Sequence, residues 1–375
     1  MRFFALPLAA ATLVTAATLS SEEIAQKADQ GLALLRFAEN VDPVWHTEDE
    51  RLDFLRNGTR FMDVTFTWER KQKLKAAKKP KAAEACAGPT HVSAVNAILK
   101  TVSTSNMQST LTSLTAFNNR YYRASTGAQA STFIRDTVAK IISGRSDASV
   151  ALYSHSWTQS SIIAKIAGTA ATTPVTIIGA HMDSINLNSP TSGRAPGADD
   201  DGTGAVNLIE ALRALIASGY KPKTPVEFHW YSGEEAGLLG SQDVAASYAE
   251  AGVKVQAFME VDMSGYFKKG TTEVFALQAD YISTALNKYL GTLIDEYSAF
   301  GWTMDKACGY ACSDHASWYE QGYPTTFPYE AVTGNDNPQI HSSSDTTSVS
   351  GFSWTHSLEF AKIVVAFAYE LAPPA

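Results

Sequence analysis

Hydrophobic positions in the second half of the chain follow two rhythms in alternation. Val175–Ala180 is an unbroken apolar run bounded by Pro174 and a polar loop, which predicts a buried strand. Ala205, Leu208, Ile209, Leu212, Leu215 and Ile216 recur at helical spacing, and Gly219 closes that helix. Val226–Tyr231 (VEFHWY) predicts a second strand, followed by SGEE and a helix from near Ala236. Val255–Val261 predicts a third strand, and Ser357–Leu371 a C-terminal amphipathic helix. Alternation on this scale predicts an α/β fold with a single doubly wound sheet, mixed and mostly parallel, with helices on both faces. In such sheets functional groups gather at the carboxyl ends of the strands.

The N-terminal portion reads differently. MRFFALPLAAATLVTAATLSS has one Arg, then an apolar run, then small residues, the order of a secretory signal peptide expected over residues 1–19. The run is shorter than the roughly 20 residues a membrane span needs, and no basic stop follows it. Ala25–Val41 predicts a short helix and Phe61–Trp68 a β-leaning stretch. Next come Arg70, Lys71, Lys73, Lys75, Lys78, Lys79 and Lys81. Residues 1–81 hold 13 basic and 11 acidic side chains, so the remainder carries a net charge of −10. A basic run between an export signal and a patterned domain is where a propeptide would be clipped. Residues 20–85 are therefore expected to form a propeptide and 86–375 the main domain. Asn57-Gly58-Thr59, inside that segment, is an N-glycosylation acceptor sequence.

Composition narrows the function classes. The length of 375 residues allows one large domain or two ordinary ones. With 45% hydrophobic and 18% charged residues the chain is globular rather than disordered. A formal charge of −8 argues against a general nucleic-acid binder, which needs clustered Lys and Arg. A mean hydropathy of −0.11 fits no set of membrane spans. Three cysteines are too few for a disulfide scaffold or a Cys-built zinc site.

The polar residues at the predicted strand ends carry the chemistry. His181 and Asp183 follow the first strand, Glu234 and Glu235 the second, and Asp262 the third. Asp199, Asp200 and Asp201 precede the long helix in PGADDDGTG, and His341 lies in a late loop. Singly, each has a bland explanation: an Asp triplet caps a helix, and Glu-Glu favours a helix dipole. Together they suit a borderline metal such as zinc. A catalytic zinc takes about three protein ligands. Two histidines, at least three carboxylates and one Glu to spare fit two ions roughly 3.5–4 Å apart, sharing a bridging carboxylate and a water.

HxD (His181, Asp183), GADDDGTG, GEE, VDM, CGYACSDH and the late IH, in that order, closely resemble the secreted leucine aminopeptidases of fungi and bacteria, a co-catalytic two-zinc family. The resemblance runs from about Asn119 to the C-terminus; over residues 20–85 it rests on layout alone. It implies a zinc-exopeptidase fold with two Zn2+ per subunit. His181 and Asp262 would hold one ion, Glu235 and His341 the other, and Asp200 would bridge. Glu234 would be the general base, and Asp183 would hydrogen-bond the His181 ring. A cis peptide is implied at Asp200–Asp201. Met263, Tyr310, Tyr329 and Ile340 would line an apolar side-chain pocket, but Thr333 and Asp336 stand where the bacterial relative has aromatics. The implied chemistry is attack by zinc-bound hydroxide, with Glu234 passing the water's proton to the leaving amine. The implied partners are peptides with a free N-terminus and the chain's own propeptide, as inhibitor or folding aid. A secreted monomer is expected, with neither nucleic acid nor membrane as partner.

Other readings on the same fold are a dipeptidase, a carboxypeptidase, a single-zinc glutaminyl cyclase, or a binding module that has lost its metals. A carboxypeptidase would need a cation for the substrate carboxylate, and the motifs hold none. A degenerate binding module would have lost a ligand or the base, and this chain keeps every one. Cys308 and Cys312 could suit a metal, but no second Cys pair completes a site. In an exported protein they are expected to form a disulfide that holds Tyr310 at the pocket wall. His229 is expected to pack within its strand, and His46, His91, His155 and His356 have no ligand partner in sequence. His315, beside Asp314, is a candidate neighbour of the ligands.

Overall fold

Residues 19–39, 41–70 and 88–374 are described by a computed structural model. The signal peptide up to residue 18, the basic run from Lys71 and the boundary at Cys86 lie outside the described residues. The strands are β1 (Leu32–Arg36), β2 (Val44–Thr47), β3 (Met62–Asp63), β4 (Ala148–Tyr153), β5 (Ser161–Ile166) and β6 (Val175–His181). They continue with β7 (Val226–Tyr231), β8 (Val255–Glu260), β9 (Phe275–Leu277), β10 (Trp302–Met304), β11 (Thr325–Thr326) and β12 (Pro328–Tyr329).

The main sheet has the order β11-β8-β6-β7-β5-β4. β11–β8, β8–β6 and β6–β7 pair in parallel, while β7–β5 and β5–β4 are antiparallel, so the sheet is mixed. Its centre is apolar on both faces, which is why β6 reads as a continuous run rather than an alternation. Ile178, Ala180, Phe228, Trp230 and Met259 face one cluster with the helices Gly202–Ala217, Ser125–Ile141 and Trp354–Leu371. Ile177, Tyr231 and Phe258 face the other, with Val244 and Trp318 from the helices Leu239–Glu250 and His315–Glu320. Gly179 has no room for a side chain: a Cβ there would lie 2.7 Å from the Phe258 ring and 2.8 Å from Tyr231. Among the described residues no helix is long and apolar enough to cross a membrane.

Four expectations need correction. A single sheet was expected, but two further three-stranded sheets stand beside the main one, β2-β1-β3 and β10-β9-β12. The helix expected over Ala25–Val41 is Ser21–Asp29 only. Gly31 then turns the chain at φ 78°, and the apolar run Leu32–Leu35 pairs with β2 instead. The helix expected from near Ala236 begins at Leu239, because Gly237 and Leu238 take positive φ and cannot continue a right-handed helix. Of the stretch Phe61–Trp68, only Met62–Asp63 is strand.

Residues 19–70 fold onto the main domain. Capping boxes at Ser20–Glu23 and Thr47–Glu50 start their two helices. Leu35, Leu55 and Phe61 share a buried cluster with Tyr121, Tyr122, Ile185 and Leu239. The buried Arg51 guanidinium donates to Ala236 O at 3.2 Å, and Asp63 N–H donates to Gly237 O at 3.0 Å. The segment is thus fastened to the loop directly after Glu234 and Glu235.

Candidate metal centre

Because β6, β7 and β8 run parallel, their carboxyl ends open on one edge of the sheet, and the predicted residues meet there. His181 ends β6, Asp262 lies two residues past β8, and Glu234 and Glu235 lie just past β7. Asp200 enters from the loop before the helix Gly202–Ala217, and His341 from a late loop at φ 57°.

The two oxygens of Asp200 face different histidines. Oδ1 is 3.0 Å from His181 Nε2, and Oδ2 is 2.9 Å from His341 Nε2. Asp262 Oδ1 is 3.4 Å from the same His181 nitrogen, and Glu235 Oε2 is 3.0 Å from that of His341. The residues form two triads, His181–Asp200–Asp262 and Asp200–Glu235–His341, each with its ligand atoms within 4.8 Å of one another. Among the described residues, His181 Nε2 and Asp262 Oδ1 are buried and have no hydrogen-bond partner. Buried lone pairs of N and O converging without protein donors are what a cation such as zinc satisfies, so the residues present fit a metal. Glu234 belongs to neither triad yet lines the same cavity.

Electrostatics follow from crowding. Burial opposes charge on every group, but His341 is held up at about 10 by Glu235 and Asp200, and His181 is raised by Asp262, Asp183 and Asp200. Asp200 is held well below the usual carboxylate range by the two histidines, against burial. Glu234 is pushed well up by burial, with Asp314, Asp262 and Glu235 adding to it. A carboxyl raised in this way suits proton transfer near neutral pH.

Supporting residues were less visible in the sequence. The Asp345 carboxylate accepts the backbone N–H of Asp199 and of Asp200, both at 3.1 Å. Asp201 caps the helix through Gly204 N–H (2.9 Å) and also accepts from Met263 N–H (3.0 Å) and His181 N–H (3.2 Å), tying three elements together. The buried Arg120 donates to Met182 O and Gly197 O, at 2.7 and 2.8 Å, on either side of the centre. Asp201 and Asp199 carry a signal only as the flanks of Asp200; Asp345 and Arg120 carry none. The peptide bond Asp200–Asp201 is cis. Asp183 Oδ1 stands 3.5 Å from His181 Nδ1, and the two oxygens of the carboxylate also accept Glu234 and Glu235 N–H.

A cavity of about 290 Å³ opens on the centre. Met263, Tyr310, Tyr329 and Ile340 line it, as do Thr333, Asp336, Gln278 and Phe327. Cys308 and Cys312 are joined in a disulfide beside Tyr310, so their sulfurs are not metal donors. His315 does not reach the ligands: it is buried against Phe327 and Tyr281. His229 packs within β7 against Tyr231 and Glu227. His46, His91, His155 and His356 pair with Glu50, Glu370, Asp243 and Glu273, away from the centre.

Residues 161–368 match the model of Peptidase family M28. The chain is 41% identical over 344 residues to the probable leucine aminopeptidase 1 of Trichophyton verrucosum, covering 88% of this chain and 89% of the relative. It is 39% identical to leucine aminopeptidase 1 of Fusarium vanettenii, over 87% and 84% of the two chains. Among solved structures, the LapA aminopeptidase of Legionella pneumophila superposes with a TM-score of 0.79 at 32% identity, over 93% of this chain and 96% of that one. The cluster of buried acids and histidines falls within the matched residues 161–368, and the chain belongs to peptidase family M28 as a metal-dependent aminopeptidase.

Proposed function

We propose that the chain is a secreted two-zinc aminopeptidase that removes leucine and other apolar residues from the free N-termini of peptides. The observation that carries this is the position of Asp200, whose two oxygens face His181 and His341 in separate triads. Two bound zinc ions would supply Lewis acidity and a water whose pKa falls toward ~7. His181 and Asp262 would hold one, Glu235 and His341 the other, and Asp200 both. Glu234, at the cavity wall and outside both triads, takes the proton of the attacking water and passes it to the leaving amine. The remaining acidic wall receives the substrate's α-ammonium, and Met263, Tyr310, Tyr329 and Ile340 receive its side chain.

The N-terminal region completes the reading. Residues 1–19 export the chain, and residues 20–85 are a propeptide that acts as folding aid and inhibitor of a monomeric enzyme spanning residues 86–375. What supports inhibition is that Leu55, Gly58, Arg60 and Phe61 line the same cavity as Glu234. Asn57, exposed at the end of its helix, is the glycosylation site.

The test is hydrolysis of leucyl-p-nitroanilide and of its N-acetylated form, before and after chelation, with zinc counted by mass spectrometry. Cleavage of the free-amine substrate alone, lost with the metal and restored by zinc, is expected. Full activity in a verified metal-free sample, or equal cleavage of the blocked substrate, would overturn the reading.

A further inference from the structure

One contact into the centre is chemically mismatched. His341 turns Nε2 toward Asp200 and Glu235, so Nε2 is the atom that would bind a metal. Its other nitrogen, Nδ1, lies 3.0 Å from Nη2 of Arg60. A histidine that lends the Nε2 lone pair to a metal carries its proton on Nδ1, and it normally donates that N–H to a carboxylate, a carbonyl or water. A guanidinium has five donors, no acceptor and a permanent charge. Arg60 can accept nothing from Nδ1. Where the ring needs an acceptor, the chain places a donor, and a fixed cation stands behind the ligand of a dication.

The contact is built rather than incidental. Leu55 and Phe61, on either side of Arg60, are buried in the cluster that fastens the N-terminal segment to the main domain. Arg56 Nε donates to Leu187 O at 3.0 Å, and Leu187 N–H donates to His341 O at 3.2 Å, so the segment and the His341 loop are stitched together. Arg60 also acts on the Tyr310 hydroxyl, by charge and by a hydrogen bond, across the same cavity. In the other triad, by contrast, His181 Nδ1 faces the carboxylate of Asp183.

We propose that Arg60 holds the Asp200–Glu235–His341 half of the centre in a state of low metal affinity. With the N-terminal segment in place the chain loads the His181–Asp200–Asp262 half first. Displacement of the segment frees His341 Nδ1 to find water and lets the second ion bind. The segment then controls metal loading as well as access to the cavity. This rests on the two-metal reading above.

The test uses the full-length chain, stripped of metal and titrated with zinc against a chromophoric chelator. The wild type should take one equivalent tightly and a second at least about tenfold more weakly, the scale on which groups behind a metal ligand act. Arg60→Gln offers a carbonyl oxygen to Nδ1–H and should bring the second equivalent about tenfold closer to the first. Arg60→Lys keeps charge and donors and should behave as wild type; Arg60→Met removes both and should follow Gln, which keeps the test open if one variant misfolds. Two equally tight equivalents in the wild type would overturn the proposal. So would Arg60→Gln and Arg60→Met raising peptidase activity with zinc affinity unchanged, since Arg60 would then only block the cavity. Zinc binding to none of the four proteins would instead sink the two-metal reading itself.

Discussion

The carboxylate of Asp183 accepts the backbone N–H of Glu234 at 3.0 Å, bridging the end of β6 to the loop that follows β7. The same carboxylate reaches Glu235 N–H at 3.3 Å. Asp183 therefore positions Glu234, the proposed base, and Glu235, a proposed ligand, through their main chain. Asp183→Asn replaces an acceptor oxygen by an NH2 that faces N–H donors, and the Glu234 loop should shift. We expect kcat to fall with KM nearly unchanged; an Asp183→Asn enzyme with wild-type kcat would remove this role.

The roles proposed for Glu234, as base, and for Asp200, as ligand, are separable by substitution. Glu234→Gln should keep its metal and its thermal stability while turnover falls by about 10²–10⁴, the usual worth of a general base. Asp200→Ala should lose metal from both triads, since both contain its oxygens. Zinc content measured beside kcat distinguishes the two, and equal metal loss in both variants would put Glu234 among the ligands.

Asp345 reaches the centre through the main chain of Asp199 and Asp200. It accepts the N–H groups of Asp199 and Asp200, and Asn337 Nδ2 donates to it at 3.3 Å. Asp345→Asn should weaken zinc binding about 10–100-fold, as loss of a group supporting a ligand does. Stability should fall by about 1–3 kcal/mol for buried N–H groups left unpaired. Competition titration and a melt measure the two; unchanged zinc affinity would restrict Asp345 to a structural part.

How much of this was legible follows from the same geometry. Strands β6, β7 and β8 are buried on both faces and largely apolar, with Glu227 and His229 paired to each other inside β7, and the residues that form the centre follow at or just past their carboxyl ends. His181, Glu234, Glu235 and Asp262 announce themselves that way. Asp345 lies 145 residues from Asp200 in sequence and meets it through backbone groups, which leave no pattern in side-chain types. Arg60 is one of several basic residues in its segment, and only the fold sets it against His341. His315 misled by adjacency: Asp314 is pushed up to about 7 by burial with the site acids near it, while the His315 ring turns toward Phe327. The strand β1 was masked by an apolar run too short to tell helix from strand, decided in the end by Gly31 and pairing with β2.

The disulfide acts on the pocket more than on the fold. Cys308 and Cys312 close a very short loop, for which chain entropy predicts less than the ~3 kcal/mol of a 15-residue loop. Asp280 already anchors that loop by accepting Cys308 N–H at 3.1 Å and Gly309 N–H at 2.8 Å. Cys308→Ser should therefore raise KM for leucyl substrates through a looser Tyr310 while lowering the melting temperature little. Mass mapping under non-reducing conditions must show the bridge in active enzyme; free thiols at both positions would remove the basis of this expectation.

Away from the centre, Glu227 on β7 provides a pH-dependent contribution that is separable from metal loss. Burial raises its carboxyl, but His229 Nε2 at 3.1 Å, the Tyr248 hydroxyl at 2.6 Å and Lys165 Nζ at 3.0 Å outweigh it and hold it at about 2. A folded-state value below the ordinary 4.5 stabilises the fold wherever the unfolded carboxyl is ionised, so the contribution is complete above about pH 4.5. It is lost as pH falls from about 4.5 toward 2. A shift of this size corresponds to at most about 3 kcal/mol. The stability gap between wild type and Glu227→Gln should close as pH falls below about 4.5. Comparing the two proteins at each pH cancels the acid loss of metal, which both share. A gap that stays open to pH 2 would assign Glu227 a packing role rather than an electrostatic one.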